Sequence, residues 1–182
     1  MRNGVAAVLL FGALAVFAQE TAPVWCVGDS TKVMPGDAPQ NKNLIWDGAS
    51  KTVKLGSARN EYVAFQIAVR APGDDLQGVT VVPDALKGPN GAEIPASHID
   101  LFLEHYLTVT ITSRSSAKEL FQYCTAGEHP TQMVPFGAKK FGAPFAIWAD
   151  RNQPVWVDIY VPEEAAAGVY SGTFRAVSYT HL

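Results

Sequence analysis

Three stretches of the chain alternate apolar and polar residues with a period of two. Along Tyr62–Ala71 (YVAFQIAVRA), Val63, Phe65, Ile67 and Val69 share one face; Tyr62, Ala64, Gln66, Ala68 and Arg70 share the other. From Ile99 to Thr112, Ile99, Leu101, Leu103, His105, Leu107, Val109 and Ile111 oppose Asp100, Phe102, Glu104, Tyr106, Thr108 and Thr110. In Val155–Val161, Val155, Val157, Ile159 and Val161 oppose Trp156, Asp158 and Tyr160. Successive side chains of a strand point to opposite faces, so each stretch predicts a strand with one apolar side. Val24–Val27, Thr52–Leu55, Val79–Val82 and Val169–Ala176 predict shorter ones. Pro72-Gly73-Asp74-Asp75, Lys87-Gly88-Pro89-Asn90-Gly91 and Glu163–Gly168 separate them with residues that fix φ or supply positive φ. Seven or more strands at this spacing, with hardly a helical period, predict an all-β fold. The expected form is an antiparallel β-sandwich, immunoglobulin-like or jelly-roll-like, over residues 22–176. Ser116–Tyr123 is the one candidate for a helical turn. Ser113–Ala149 lacks clean alternation and carries Pro130, Pro135 and Pro144 with Gly127, Gly137 and Gly142, so it is expected to be irregular and functional, or packed against something.

Ahead of the first strand, Met1-Arg2 and the uncharged run Val5–Phe17 read as an export leader, with small residues up to Ala18 at the cleavage position and Gln19 as the mature N-terminus. The run is shorter than the roughly 20 residues a membrane-spanning helix needs. Residues 1–18 are therefore expected to be removed, leaving an exported protein, periplasmic or extracellular, with no membrane attachment. Hydrophobic residues make up 48% and charged residues 17% of the chain, enough apolar matter for one core. The net charge of −3, with basic residues scattered singly apart from Lys139-Lys140, supplies no phosphate-neutralising stripe, so nucleic acid is not an expected partner. Cys26 and Cys124 form either a disulfide or two separately buried thiols. Closing a loop of roughly 100 residues would contribute about 4–5 kcal/mol.

The chain shows no nucleophile elbow, phosphate loop or paired-histidine metal motif, and no cofactor or metal is expected. His98, His105, His129 and His181 have no ligand spacing, and His105 falls in an apolar register. Glycoside hydrolysis uses two carboxyl groups across the scissile bond, or one with a substrate acetamide. The acidic pairs Asp74-Asp75 and Glu163-Glu164 lie in predicted turns, where solvation gives their pKa values no reason to separate. No catalytic residue is assigned. Rings are better candidates, because sugars stack on aromatic faces. Tyr123, Phe136, Phe141, Phe145 and Trp148 crowd the irregular segment, and Trp156 and Tyr160 share a polar strand face. Tyr123, Trp148 and Trp156 are the candidate carbohydrate contacts. The competing reading makes these rings a hydrophobic contact with a loop or a following domain.

Two motifs bring a family into view. They are Ala58–Ile67 (ARNEYVAFQI), and Asn152–Pro162 (NQPVWVDIYVP) continuing through Ala167–Gly172 (AGVYSG). Together they resemble the N-terminal sandwich of glycoside hydrolase family 123-like proteins, over about Val24–Ala176. The resemblance implies a downstream (β/α)8-barrel catalytic domain in the same polypeptide, whose Asp–Glu pair and substrate N-acetyl group assist hydrolysis of an N-acetylgalactosaminide. It places no catalytic residue in this stretch. It implies structural roles here: Val63, Phe65 and Ile67 in the core, and Arg59, Asn60, Glu61 and Gln66 tying the start of a strand to a neighbouring loop. Where such proteins carry a Pro-Asp-Pro-Leu-like run in a loop, this chain reads His129–Phe136, with Thr131 in place of the acid. Residues 177–182 resemble translated adapter sequence rather than part of the domain. The function expected is a non-catalytic accessory module of an exported glycosidase acting on N-acetylhexosamine-containing glycans. The alternative is a free-standing carbohydrate-binding or adhesion module.

Overall fold

Among the described residues thirteen strands form, including those the alternation predicts and several it does not announce. The computed structural model describes residues 7–13, 23–111 and 126–178. Its strands are β1 (Ala7–Ala13), β2 (Val24–Gly28), β3 (Trp46–Asp47), β4 (Thr52–Ser57), β5 (Glu61–Arg70), β6 (Leu76–Pro83) and β7 (Leu86–Lys87). Then come β8 (Glu93–Ile94), β9 (Ile99–Val109), β10 (Gly127–Pro135), β11 (Phe145–Ile147), β12 (Asn152–Val161) and β13 (Tyr170–Val177). They make two sheets. One runs β10-β9-β12-β5-β2 and is antiparallel throughout; the other runs β11-β6-β13-β1-β4-β3, with β7 beside β13 and β8 beside β7. The predicted β-sandwich is the observed fold.

The core lies where the alternation puts it. On β12, Val155 faces Ile67 of β5 and Leu103 of β9, and Val157 faces Phe65 and Leu101. Phe65 meets Phe174 of the opposite sheet edge to face, with ring centroids 5.5 Å apart. β-branched and aromatic residues fill these positions because they fit a pleated, buried surface. The family motif has the structural roles expected of it. Asn60 takes positive φ in the β4–β5 turn, its N–H donates to the Val161 carbonyl, and its Oδ1 accepts from the Tyr160 hydroxyl at 3.0 Å. Glu61 Oε2 accepts from the Ala58 N–H at 2.7 Å.

Two expectations need correction. Gly127–Pro135, read as irregular and in part as a loop, is a nine-residue strand. Its prolines are tolerated because β10 is the edge of its sheet, where a missing ladder donor faces no partner, and because a bulge at Thr131 absorbs the misfit with β9. Phe145–Ile147, in the same segment, is also a strand, paired with β6. The candidate helical turn Ser116–Tyr123 lies outside the described residues.

The face of β5 opposite its apolar side is covered as well. Gln66 is 1% exposed and Ala68 is fully buried. Residues 29–45 cross this outer face as a strap, with Val33 buried beneath it. Gln66 Nε2 donates to the Gly28 and Thr31 carbonyls, and Tyr106 donates its hydroxyl to the Val33 carbonyl. Asn152 Nδ2 donates to the Met34 and Asp37 carbonyls at 2.9 and 2.8 Å. Asn43 ends the strap by donating to the Cys26 carbonyl and accepting from the Ile45 and Trp46 N–H groups. A strap has no periodicity to betray it, and its own polar groups must be met by side chains of the sheet.

Asn152→Ala leaves two strap carbonyls without their donor. It is expected to lower stability by about 2–3 kcal/mol, read as a lower urea midpoint followed by tryptophan fluorescence. An unchanged midpoint would show that the strap is held by other contacts.

Candidate functional site

The cleft of this domain follows from a divergence of strands. β9 pairs with β12 only over Ile99–Leu103, but with β10 from Phe102 to Val109. Beyond Leu103 the β9–β10 ribbon therefore leaves the sheet. Residues 136–151 cross to the other sheet, where β11 pairs with β6, before returning as β12. The space between ribbon and crossover is a cleft of about 460 Å³.

Its floor is apolar, made by Leu103, Phe145 and Ile147, all buried. The crossover is held in tight turns. Gly142 packs so close to the Phe136 and Ala138 carbonyls that a Cβ there would sit 2.5 Å from each. Asp75 Oδ1 accepts from the Ala149 N–H and Asp150 Oδ1 from the Gly73 N–H. Asp75, one of the paired acids of the predicted turns, thus anchors the rim, and Glu163 and Glu164 lie exposed in the β12–β13 turn.

Two rings stand on the rim. Phe141 is 65% exposed and Trp148 63% exposed, although each is large enough to bury well. Phe141 tilts over His105, centroid to centroid 4.9 Å. His105, expected as a core or edge imidazole, is half-buried in the cleft wall. The polar side is a fork: Arg151 Nη1 and Nη2 donate to Glu128 Oε2 and Oε1 at 2.8 and 2.9 Å, and the guanidinium lies 5.9 Å from the Tyr106 ring centre. The hydrogen bonds from Arg151 hold the Glu128 carboxyl below its usual range. Such a carboxylate stays ionised and keeps its oxygens engaged, so it is a poor general acid. The fork and the two rings suit contact with a polar, flat-faced partner rather than bond cleavage. The sandwich thus carries a concave cleft with a polar side, because the β9–β10 ribbon opens one. Among its described lining residues, the carboxylate is that of Glu128 alone.

Of the candidate carbohydrate contacts, Trp148 reaches the cleft. Trp156 does not line it; half-buried on the outer face of the five-stranded sheet, it donates from Nε1 to Asp158 Oδ1 at 2.7 Å. Tyr160 on that face packs 5.1 Å from Tyr62 and 5.5 Å from His98. Tyr123 lies outside the described residues, as does Cys124. Cys26 is fully buried, and burial pushes its thiol pKa up. The Arg151–Glu128 fork was not read from the sequence: Glu128 lies on β10 and Arg151 just ahead of β12, and only tertiary structure joins them.

Behind the cleft wall, Gln153 Nε2 donates to the Glu104 carbonyl at 2.8 Å. The Glu104 side chain is 7% exposed on the strapped face, and its Oε1 has no hydrogen-bond partner. Burial pushes its carboxyl up to about 7, against the opposing pull of Lys32.

Two comparisons with known proteins bear on this geometry. The chain matches the family described as Glycoside hydrolase 123 N-terminal domain over residues 39–178. Among solved structures it is similar to a family 123 glycoside hydrolase from Clostridium perfringens, a protein studied for glycolipid glycan hydrolysis. The TM-score is 0.52 and the identity 13%, over 68% of this chain and 22% of that one. At that identity the likeness is one of fold, and the chain spans about a fifth of that protein's length. No curated protein matches it.

Because the folded pKa of Glu104 lies above its unfolded value of 4.5, the folded state binds the proton more tightly. The resulting stability is full below pH 4.5 and is lost as pH rises through about 7. The expected loss is about 2–3 kcal/mol across that window. Glu104→Gln is expected to flatten this profile in urea titrations at pH 4.5, 6 and 8. An equally sloped profile in the variant would assign the pH dependence to another group.

Proposed function

The chain belongs to the glycoside hydrolase 123 N-terminal domain family, and from that membership we propose that it is the non-catalytic, N-terminal module of an exported glycoside hydrolase acting on N-acetylhexosamine-containing glycans. The carrying observation is the rim of the cleft. Phe141 and Trp148 stand in water beside a charged fork, and Leu107 and Ile111 at the far end of β9 are exposed as well. Exposed apolar residues gathered at one end of a domain mark a surface that another body covers. The body proposed is the catalytic part of the same polypeptide, since the solved relative has a chain far longer than the matched region. Docking there makes the cleft a pocket at a domain junction, a common place for ligands. Export rests on the leader at residues 1–18.

A second reading, glycan binding by the module itself, is favoured by one observation: the Trp148 ring is open to solvent beside a fork whose remaining guanidinium N–H groups suit hydroxyl and acetamido oxygens. The two readings separate in one experiment. The 182-residue chain alone is expected not to hydrolyse an N-acetylhexosaminide, whereas the longer polypeptide hydrolyses it. In the longer polypeptide, Trp148→Ala is expected to speed proteolysis at the junction several-fold. Retention of the isolated chain on an N-acetylhexosamine-bearing glycan column, lost in Trp148→Ala, would favour the second reading. Hydrolysis by the isolated chain would overturn the non-catalytic assignment.

A further inference from the structure

The segment Ala7–Ala13 meets two incompatible demands. It is the centre of the apolar leader expected to be removed on export. In the fold it is β1, an interior strand. It pairs antiparallel with β4 from Ala7↔Ser57 to Gly12↔Thr52, and parallel with β13 from Leu9↔Tyr170 to Ala13↔Phe174. Apart from β1, β4 has only the two-residue β3 as a ladder partner among the described strands, while β13 has β6 and β7. Without β1 the sheet parts into two pieces, separated by two strand spacings, roughly 9–10 Å. Both edges lie beside core residues: Val53 and Leu55 on β4, Tyr170 and Phe174 on β13. Unpaired backbone N–H and C=O groups beside a buried core are unfavourable. Some strand must occupy the gap.

We propose that the space between β4 and β13 is a strand-acceptor slot, held by Ala7–Ala13 only while the leader is attached. In the mature protein it is filled by the strand that follows β13 through a short turn in the longer polypeptide. The inference rests on the proposed export. The matched region is a small part of the solved relative, so family proteins have further chain to supply such a strand. Consecutive strands are neighbours about two-thirds of the time. A segment joined to β13 by a short turn also reaches the slot at an effective concentration of order millimolar, above that of any free partner. Joined in this way, the incoming strand runs antiparallel to β13 and parallel to β4, the reverse of β1. Its chemistry is that of an extended segment spanning Thr52–Ser57, apolar at the alternate positions opposite Val53 and Leu55.

The test uses the longer polypeptide made without its leader, starting at Gln19. A photo-crosslinking residue at position 54, where Lys54 is exposed on β4, is expected to capture a segment within roughly 20 residues after Val177, the reach of one short turn and one strand. The amides of Val53, Leu55 and Ser57, which point toward the slot because the Lys54 N–H is taken by the Ile45 carbonyl on the other side, are expected to exchange at least about 100-fold more slowly than in an unfolded peptide. Capture of a more distant segment or of a second copy would overturn the proposal, as would fast exchange along β4. The mass of the N-terminus of the protein from its natural host tests export separately: an intact Met1 would overturn that reading, while the leaderless cross-link still decides the occupant.

Discussion

The position of β12 between β5 and β9 is the constraint on which the rest depends. Its ten residues pair with β5 over their whole length and with β9 over half of it. That asymmetry does two things at once. The shared half builds a flat region whose inner face closes over the opposite sheet. The unshared half frees the β9–β10 ribbon to bend away, and the cleft is the space it leaves. A fully paired β9 would close the cleft.

Part of the same sheet is buried on both faces, by different means. The inner face is covered by a second sheet, as alternation requires. The outer face is covered by a strap with little regular structure, so its polar backbone must find partners among side chains. Gln66, Tyr106 and Asn152 supply them. Glu104 lies under that cover with one oxygen unmatched. A buried carboxyl in that setting prefers its neutral form, so the strap that covers the outer face also raises the pKa of Glu104.

These arrangements explain what the sequence could and could not disclose. β5, β9 and β12 were legible because one face of each packs on a sheet, and that contact imposes a period of two. The motif around Asn60 was legible as structural because a turn into a strand needs those residue types. β10 was hidden because an edge strand can carry prolines that an interior strand cannot. The outer-face burial of Gln66 and Ala68 was hidden because the covering strap leaves no pattern on the strand it covers. Of the cleft, Trp148 was legible as a large ring in a segment poor in regular structure. Phe141 was named on the same ground, but its meeting with His105 was not legible, nor was the Arg151–Glu128 fork, since both depend on how far the ribbon diverges. Trp156, chosen for its place on a polar strand face, was separated from Trp148 because β12 turns it to the outer face, where Asp158 takes its N–H.

A sheet whose interior strand comes from a segment expected to be discarded poses a question of connectivity rather than of packing. Strand pairing is set by backbone groups that every residue but proline carries, so a slot specifies direction, length and alternation more strictly than it specifies sequence. An apolar leader meets those terms without having been selected as a strand. An occupant of the proposed slot closes the ladder between β4 and β13, beside the buried Val53 and Phe174. On the proposed reading of the slot, the integrity of the larger sheet is tied to polypeptide beyond β13 rather than to the leader.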